Sequence, residues 1–135
     1  MNWRLVLMLS GFGLAMGVAS LYGYTQGIEP YLWIGIAIVG AGVLVRRAKG
    51  RLFANGFAVG FMDGIWNGVI EASFFSTYSA NNPDAIARFQ DGQFSLSPLS
   101  FLISSPVIGL LYGLFLGLMT WGLGKLRTKP DARPS

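Results

Sequence analysis

The stretch "GFAVGFMDGIWNGVIEASFFS", Gly56–Ser76, places a glycine at every fourth position: Gly56, Gly60, Gly64 and Gly68. Ala72 and Ser76 continue the spacing with small residues. A polar ladder, Asp63, Asn67 and Glu71, runs beside it at the same interval. Everything else is apolar or aromatic. A four-residue repeat in an apolar run is the signature of a helix with one special face. At about 100° per residue, Asp63, Asn67 and Glu71 fall near −20°, 20° and 60° from Gly56, and Gly60 and Gly64 fall near 40° and 80°. Acids and glycines therefore share one side. The far side carries Ala58, Val59, Met62, Ile65, Trp66, Val69 and Ile70, which suits lipid.

The surrounding chain sets the class. Of its 135 residues, 53% are hydrophobic and 12% are charged, against about 25% charged in ordinary soluble domains. The 19 glycines lie inside apolar runs, as membrane helices tolerate. The expected fold is all-α: a single integral membrane domain, a four-helix transmembrane bundle. Leu5–Tyr24 is 20 residues without an ionisable group, which matches the ~20 needed to cross ~30 Å of hydrocarbon. Tyr31–Val45 is a shorter second run, started at Pro30 and flanked by Tyr31, Trp33 and Arg46. The third run is Leu52–Phe75 and the fourth is Pro106–Leu126, with Ser104 or Ser105 as its N-cap. A polar loop is expected over 76–105, with a short interfacial helix after the Asn82-Pro83-Asp84 turn, and a basic tail over 127–135.

The cations settle the expected orientation. Arg4, Arg46, Arg47, Lys49, Arg51, Lys125, Arg127, Lys129 and Arg133 lie at the N-terminus, in the second connection and in the tail, and only Arg88 lies elsewhere. Four spans put those three segments on one side. The positive-inside rule makes that side, with both termini, the cytoplasm; the expected location is the inner (cytoplasmic) membrane. The net charge of +4 then needs no nucleic acid partner. Arg46, Arg47, Lys49 and Arg51 are expected to contact anionic lipid headgroups.

The chain has no cysteine and no histidine. Disulfides, thiolate chemistry, histidine general bases and histidine–cysteine zinc sites are excluded for this chain's own side chains. No catalytic residue, metal or cofactor is expected, and the chain reads as non-enzymatic.

Two features could carry a function. The first is the set of small-residue faces: Gly56, Gly60, Gly64 and Gly68 in the third run, Gly109, Gly113 and Gly117 in the fourth. Without side chains, two helix backbones approach closely and gain dispersion contacts that oil–water burial cannot supply inside a bilayer. Such faces serve internal packing, a homo-oligomer or a larger partner. The second is the polar set Asp63, Asn67 and Glu71. An ionised aspartate at the bilayer centre costs roughly 2.5–3.5 kcal/mol on insertion scales, so an acid kept there is by default a proton or cation site. No Lys or Arg lies inside a run to pair with it. Candidate partners are Ser10, Ser20, Tyr22, Asn67, Tyr112 and Thr120. Two functional expectations follow. One is a small accessory or structural subunit docked by glycine faces against a larger membrane complex, such as an energy-converting one. The other is a small oligomeric proton- or cation-linked transporter or channel.

The segment Gly56–Gln90, with its aromatic, Ser/Tyr-rich helix end and Asn82-Pro83-Asp84 turn, resembles an uncharacterised bacterial four-helix membrane family, domain of unknown function 4199. The closing "GLLYGLFLGLMTWGLGKLRTKP" fits the glycine-containing last helix and basic tail of that family. The resemblance implies a bacterial four-helix membrane protein and carries no activity or site residues with it.

Overall fold

The computed structural model describes residues 1–90 and 96–127. The expected tail over 127–135 and the centre of the expected loop therefore fall largely outside the described residues. Seven helices and no strand occur among those described: α1 Trp3–Leu9, α2 Gly11–Leu21, α3 Glu29–Arg47, α4 Leu52–Ser73, α5 Phe75–Asn81, α6 Pro83–Gln90 and α7 Pro98–Arg127.

Three helical segments are long and apolar enough to cross a membrane: Trp3–Leu21, Glu29–Arg47 and Pro98–Arg127. The first is α1 and α2 in series. α4 has 22 residues, enough for a crossing, yet it is not one of the three. Asn55, Asp63, Asn67 and Glu71 dilute its apolar character. α4 is instead the centre of the structure, packed against α7, α2, α3 and α1. Of its residues only Phe53 and Ser73 are exposed. The side of α4 expected to face lipid is therefore largely packed: Val59 is fully buried in a cluster with Leu5, Val6 and Leu9 of α1 and Ala37, Ala41 and Leu44 of α3, Ala58 and Met62 pack against it, and Ile65, Trp66, Val69 and Ile70 are partly buried. Helical periodicity finds the two faces of α4 but cannot tell that both are occupied.

Large apolar residues also crowd the exposed surface, while two acids lie inside. Leu111 is 65% exposed, whereas Asp63 is 0% and Glu71 5%. Acids inside and an oily surface differ from a soluble domain, where charged residues are almost never fully buried.

Boundaries shift from the sequence expectation for identifiable reasons. The first run is interrupted at Ser10, beside Gly11 and Gly13, a Ser/Gly combination of the kind that breaks long helices. The turn after Leu21 is closed by Gly23 and Gly27 at positive φ (75° and 78°), a region that favours glycine. α3 starts at Glu29 and runs to Arg47, longer than Tyr31–Val45, because Pro30 is tolerated in its first turn. The expected polar loop is mostly helical, as α5, α6 and the start of α7.

The largest correction concerns Pro106. It does not start the fourth run but lies inside α7. A proline in a helix leaves the carbonyl four residues earlier without its N–H. Here that carbonyl is Leu102 O, and the Ser105 hydroxyl donates to it at 3.2 Å. Neighbouring Ser104 donates to Phe101 O at 3.3 Å. The serines expected to cap a helix thus repair one, as serine side chains do in apolar surroundings.

Contacts fix the relative directions. Asn2 meets Asn55, Gly13 meets Asp63 and Ser20 meets Glu71, so α1–α2 runs parallel to α4. Tyr112 reaches Trp33 and Arg127 reaches Val45, so α7 runs parallel to α3. Gly56 abuts Thr120 and Gly68 abuts Ser105, so α4 and α7 are antiparallel. One end of the bundle therefore gathers Arg4, Arg46, Arg47, Lys49, Arg51, Lys125 and Arg127. The other end holds Arg88, the remaining described cation.

Candidate functional site

Glycine decides how α4 meets α7. A Cβ added at Gly60 would stand 2.7 Å from Gly113 Cα, and one at Gly64 would stand 2.5 Å from Gly109 Cα. Gly56 lies as tightly on Thr120 and Leu116, and Gly68 on Ser105. Seen from α7, a Cβ on Gly109 or Gly113 would lie 2.7 or 2.8 Å from the carbonyl oxygens of Phe61 or Phe57. The two ladders interlock with each other. Phe53, Phe57 and Phe61 stack along α4 at 6.2 and 6.1 Å between ring centroids. Gly117 and Gly113 of α7 sit against the Phe53 and Phe57 rings. That i, i+4 aromatic ladder, whose Phe57 and Phe61 directly follow Gly56 and Gly60, is a signal the sequence carries.

The acids point to a different neighbour. The Gly13 N–H donates to Asp63 Oδ1 at 2.9 Å. Gly13 is in the first turn of α2, whose own N-cap, Ser10, gives no side-chain cap bond; Ser10 donates instead to Leu7 O. Asp63 therefore supplies from α4 the acceptor that a cap residue would give, at the positive end of the α2 dipole. Gly13 also lets the backbones meet, since a Cβ there would lie 2.5 Å from Asp63 Cα. The break at Ser10 and the acid at Asp63 meet at one donor: the Gly13 N–H is shared between Ser10 O at 3.0 Å and the Asp63 carboxylate.

Eight residues later, Ser20 Oγ donates to Glu71 Oε1 at 2.7 Å. The Ser20 carbonyl in turn accepts from Asn82 Nδ2 at 2.8 Å, which also donates to Tyr78 O. The Ser20 member of the expected partner set thus meets an acid. Tyr112 donates to Trp33 O and Thr120 to Leu116 O, while Tyr22 is exposed. Gly13 was not anticipated, because a backbone donor has no side-chain signature.

Two buried oxygens accept nothing among the described residues: Asp63 Oδ2 and Asn67 Oδ1. They lie one helical turn apart on α4. Buried polar atoms without partners are rare and costly, so this pair is the least settled spot in the interior. From it, Asn67 and Glu71 lead to a cavity of about 610 Å³ at the end away from the basic cluster. Glu29, Trp33, Tyr78, Ser105 and Phe101 complete much of the wall. Glu29 was not singled out from sequence. It opens α3, receives the Trp33 indole N–H at 3.4 Å, and is within electrostatic reach of Glu71. Burial pushes the Tyr78 phenol up to about 12, so it stays neutral and a donor. No group of three or more acidic, histidine or cysteine side chains able to hold a metal occurs among the described residues.

At the basic end, Asn55 organises the connection between α3 and α4. Its amide donates to Gly50 O and Arg51 O, and its Oδ1 accepts the Asn2 N–H at 3.0 Å. Arg51 is held at φ 48°. Arg47, Lys49 and Arg51 line an open pocket with Met1 and Trp3 there, while Arg46 does not.

Compared with family models, curated proteins and solved structures, the chain matches none.

Proposed function

We propose that this chain is a non-catalytic, four-span integral membrane protein that takes up a proton or cation through the polar face of α4. In this reading α4 is the third crossing, made possible because three more apolar helices shield its polar groups from lipid. Both termini and the α3–α4 connection lie in the cytoplasm of an inner membrane, as the gathering of seven cations at one end supports. The observation that carries the functional reading is the pair of partnerless acceptors, Asp63 Oδ2 and Asn67 Oδ1, in line with Glu71 and a cavity. Orphaned acceptors take up an ion or ordered water, and an intramembrane acid beside them marks a proton or cation site by default. The resemblance to domain of unknown function 4199 adds no residue roles.

The test is flux in proteoliposomes. Asp63→Asn keeps an acceptor for the Gly13 N–H, and Glu71→Gln keeps one for Ser20, so both variants are expected to fold. Each should abolish proton- or cation-coupled flux seen with the wild type. A wild type without any such flux sinks the reading.

A second reading, an accessory subunit of a larger membrane complex, keeps one supporting observation. The ladders of α4 and α7 are used up on each other, but Gly35 and Gly42 of α3 have nothing within 4 Å of an added Cβ. A partner helix would dock there, and gentle extraction followed by identification of co-purifying chains tests it.

A further inference from the structure

The cavity beside Glu71 has a chemistry more specific than a place for a proton. Its volume of about 610 Å³ is in the range of small-molecule sites, which run from about 300 to 1,000 Å³. Two carboxylates, Glu29 and Glu71, reach its wall, and among the described residues no Lys or Arg does. Glu71 is 5% exposed and is held in place by Ser20. Asn67 brings a buried Oδ1 that accepts no hydrogen bond. The rest is mainly apolar and aromatic, with the uncharged serines Ser100, Ser104 and Ser105 on the α7 side. Tyr78 and Phe101 meet edge to face with centroids 5.0 Å apart, and Trp33 is braced by Tyr112, 4.9 Å away.

Each feature narrows the ligand. Net negative walls select a cation. Fixed aromatic rings favour an organic cation, whose charge they attract by their electron-rich faces. A bare metal ion would leave most of the volume unfilled and has no ligand cluster there among the described residues. The open acceptor on Asn67 asks for an N–H donor, which a protonated amine has and a quaternary ammonium lacks.

We infer that the cavity between α3, α4, α5 and α7 binds an amphipathic protonated amine, its N–H⁺ on Glu71 and Asn67 and its apolar body against Trp33, Tyr78 and Phe101. This rests on the proposal that α4 handles cations, and narrows it to an organic substrate class.

The probe is N,N-dimethyloctylamine, with octyltrimethylammonium and octanol as comparators, measured by equilibrium binding to the full chain in nanodiscs against empty nanodiscs. Saturable amine binding is expected. It should be about tenfold tighter than for the quaternary analogue, the size of one hydrogen bond to a charged group. Glu71→Gln should weaken it by tenfold or more, and Asn67→Leu should erase the preference for amine over quaternary ion. If Glu71→Gln elutes as aggregate, Phe101→Leu, which leaves both carboxylates in place, carries the test and should weaken binding severalfold. Absence of saturable binding, binding equal to that of octanol, or binding unmoved by these substitutions overturns the inference. Carboxylate-dependent proton or inorganic cation flux without amine binding would overturn this inference alone. Loss of both overturns the broader reading as well.

Discussion

Gly64 and Gly42 look alike in the sequence, each a glycine within an apolar helix. Their surroundings give opposite expectations for the same substitution. A Cβ at Gly64 meets the Gly109 backbone, which cannot move without parting α4 from α7; one at Gly42 meets nothing. Gly64→Ala is therefore expected to destabilise by about 1–3 kcal/mol, the usual range for overpacking. Gly42→Ala should be neutral or gain up to about 1 kcal/mol from removing a glycine within a helix. Unfolding of both variants in the same detergent, followed by circular dichroism, checks the contrast; equal effects would refute the interlocked ladder. At the same scale, Asp63 and Glu71 differ although both are acids on one face. Asp63 meets a backbone donor at a helix start, and Glu71 meets a hydroxyl at the edge of a cavity. The spacing of the polar ladder was readable; the division of labour within it was not, because it depends on which neighbour each turn of α4 faces.

Among the elements, α7 shows how a breaker is absorbed. Pro106 reads as a start signal because proline is usually placed in a first turn. The 30-residue helix passes through it because Ser105 Oγ reaches Leu102 O and because Gly68 of α4 holds Ser105 in close contact. A double-mutant cycle follows from this. Ser105→Ala should cost about 1 kcal/mol in the presence of Pro106, the worth of one interior hydrogen bond. It should cost markedly less in Pro106→Ala, where the backbone N–H returns to Leu102 O. A coupling energy indistinguishable from zero in thermal unfolding would show that the serine does not compensate the proline. The break at Ser10 is the counterpart in the first run. There the Gly13 N–H is shared between a local carbonyl, Ser10 O, and a side chain of another helix, Asp63, so the interruption is also a contact between elements.

For the whole molecule, the pairing of parallel and antiparallel helices brings the N-terminus, the α3–α4 connection and the end of α7 together. The absence of cysteine makes this testable with single introduced thiols. Cysteines at Met1-proximal Asn2, at Lys49 and at Leu126 should be modified from the same side of the membrane by an impermeant maleimide in oriented vesicles. A cysteine at Asp84 should be modified from the opposite side. Labelling of Lys49→Cys and Asp84→Cys from one side would overturn the four-span arrangement.

The sequence by itself determined that the chain is helical, rich in apolar runs and strongly asymmetric in its cations, because composition, period and charge are local properties. It also marked the glycines and acids of Gly56–Ser76 as one unusual face. Only the tertiary structure decided that α4 is packed on both faces, that its glycines close on the glycines of α7, and that Asp63 meets the start of α2. Those outcomes depend on contacts between residues some 50 positions apart in the chain, as Gly13–Asp63 and Ser20–Glu71 are. Helical spacing fixes which residues share a side of a helix, and only packing fixes what that side meets.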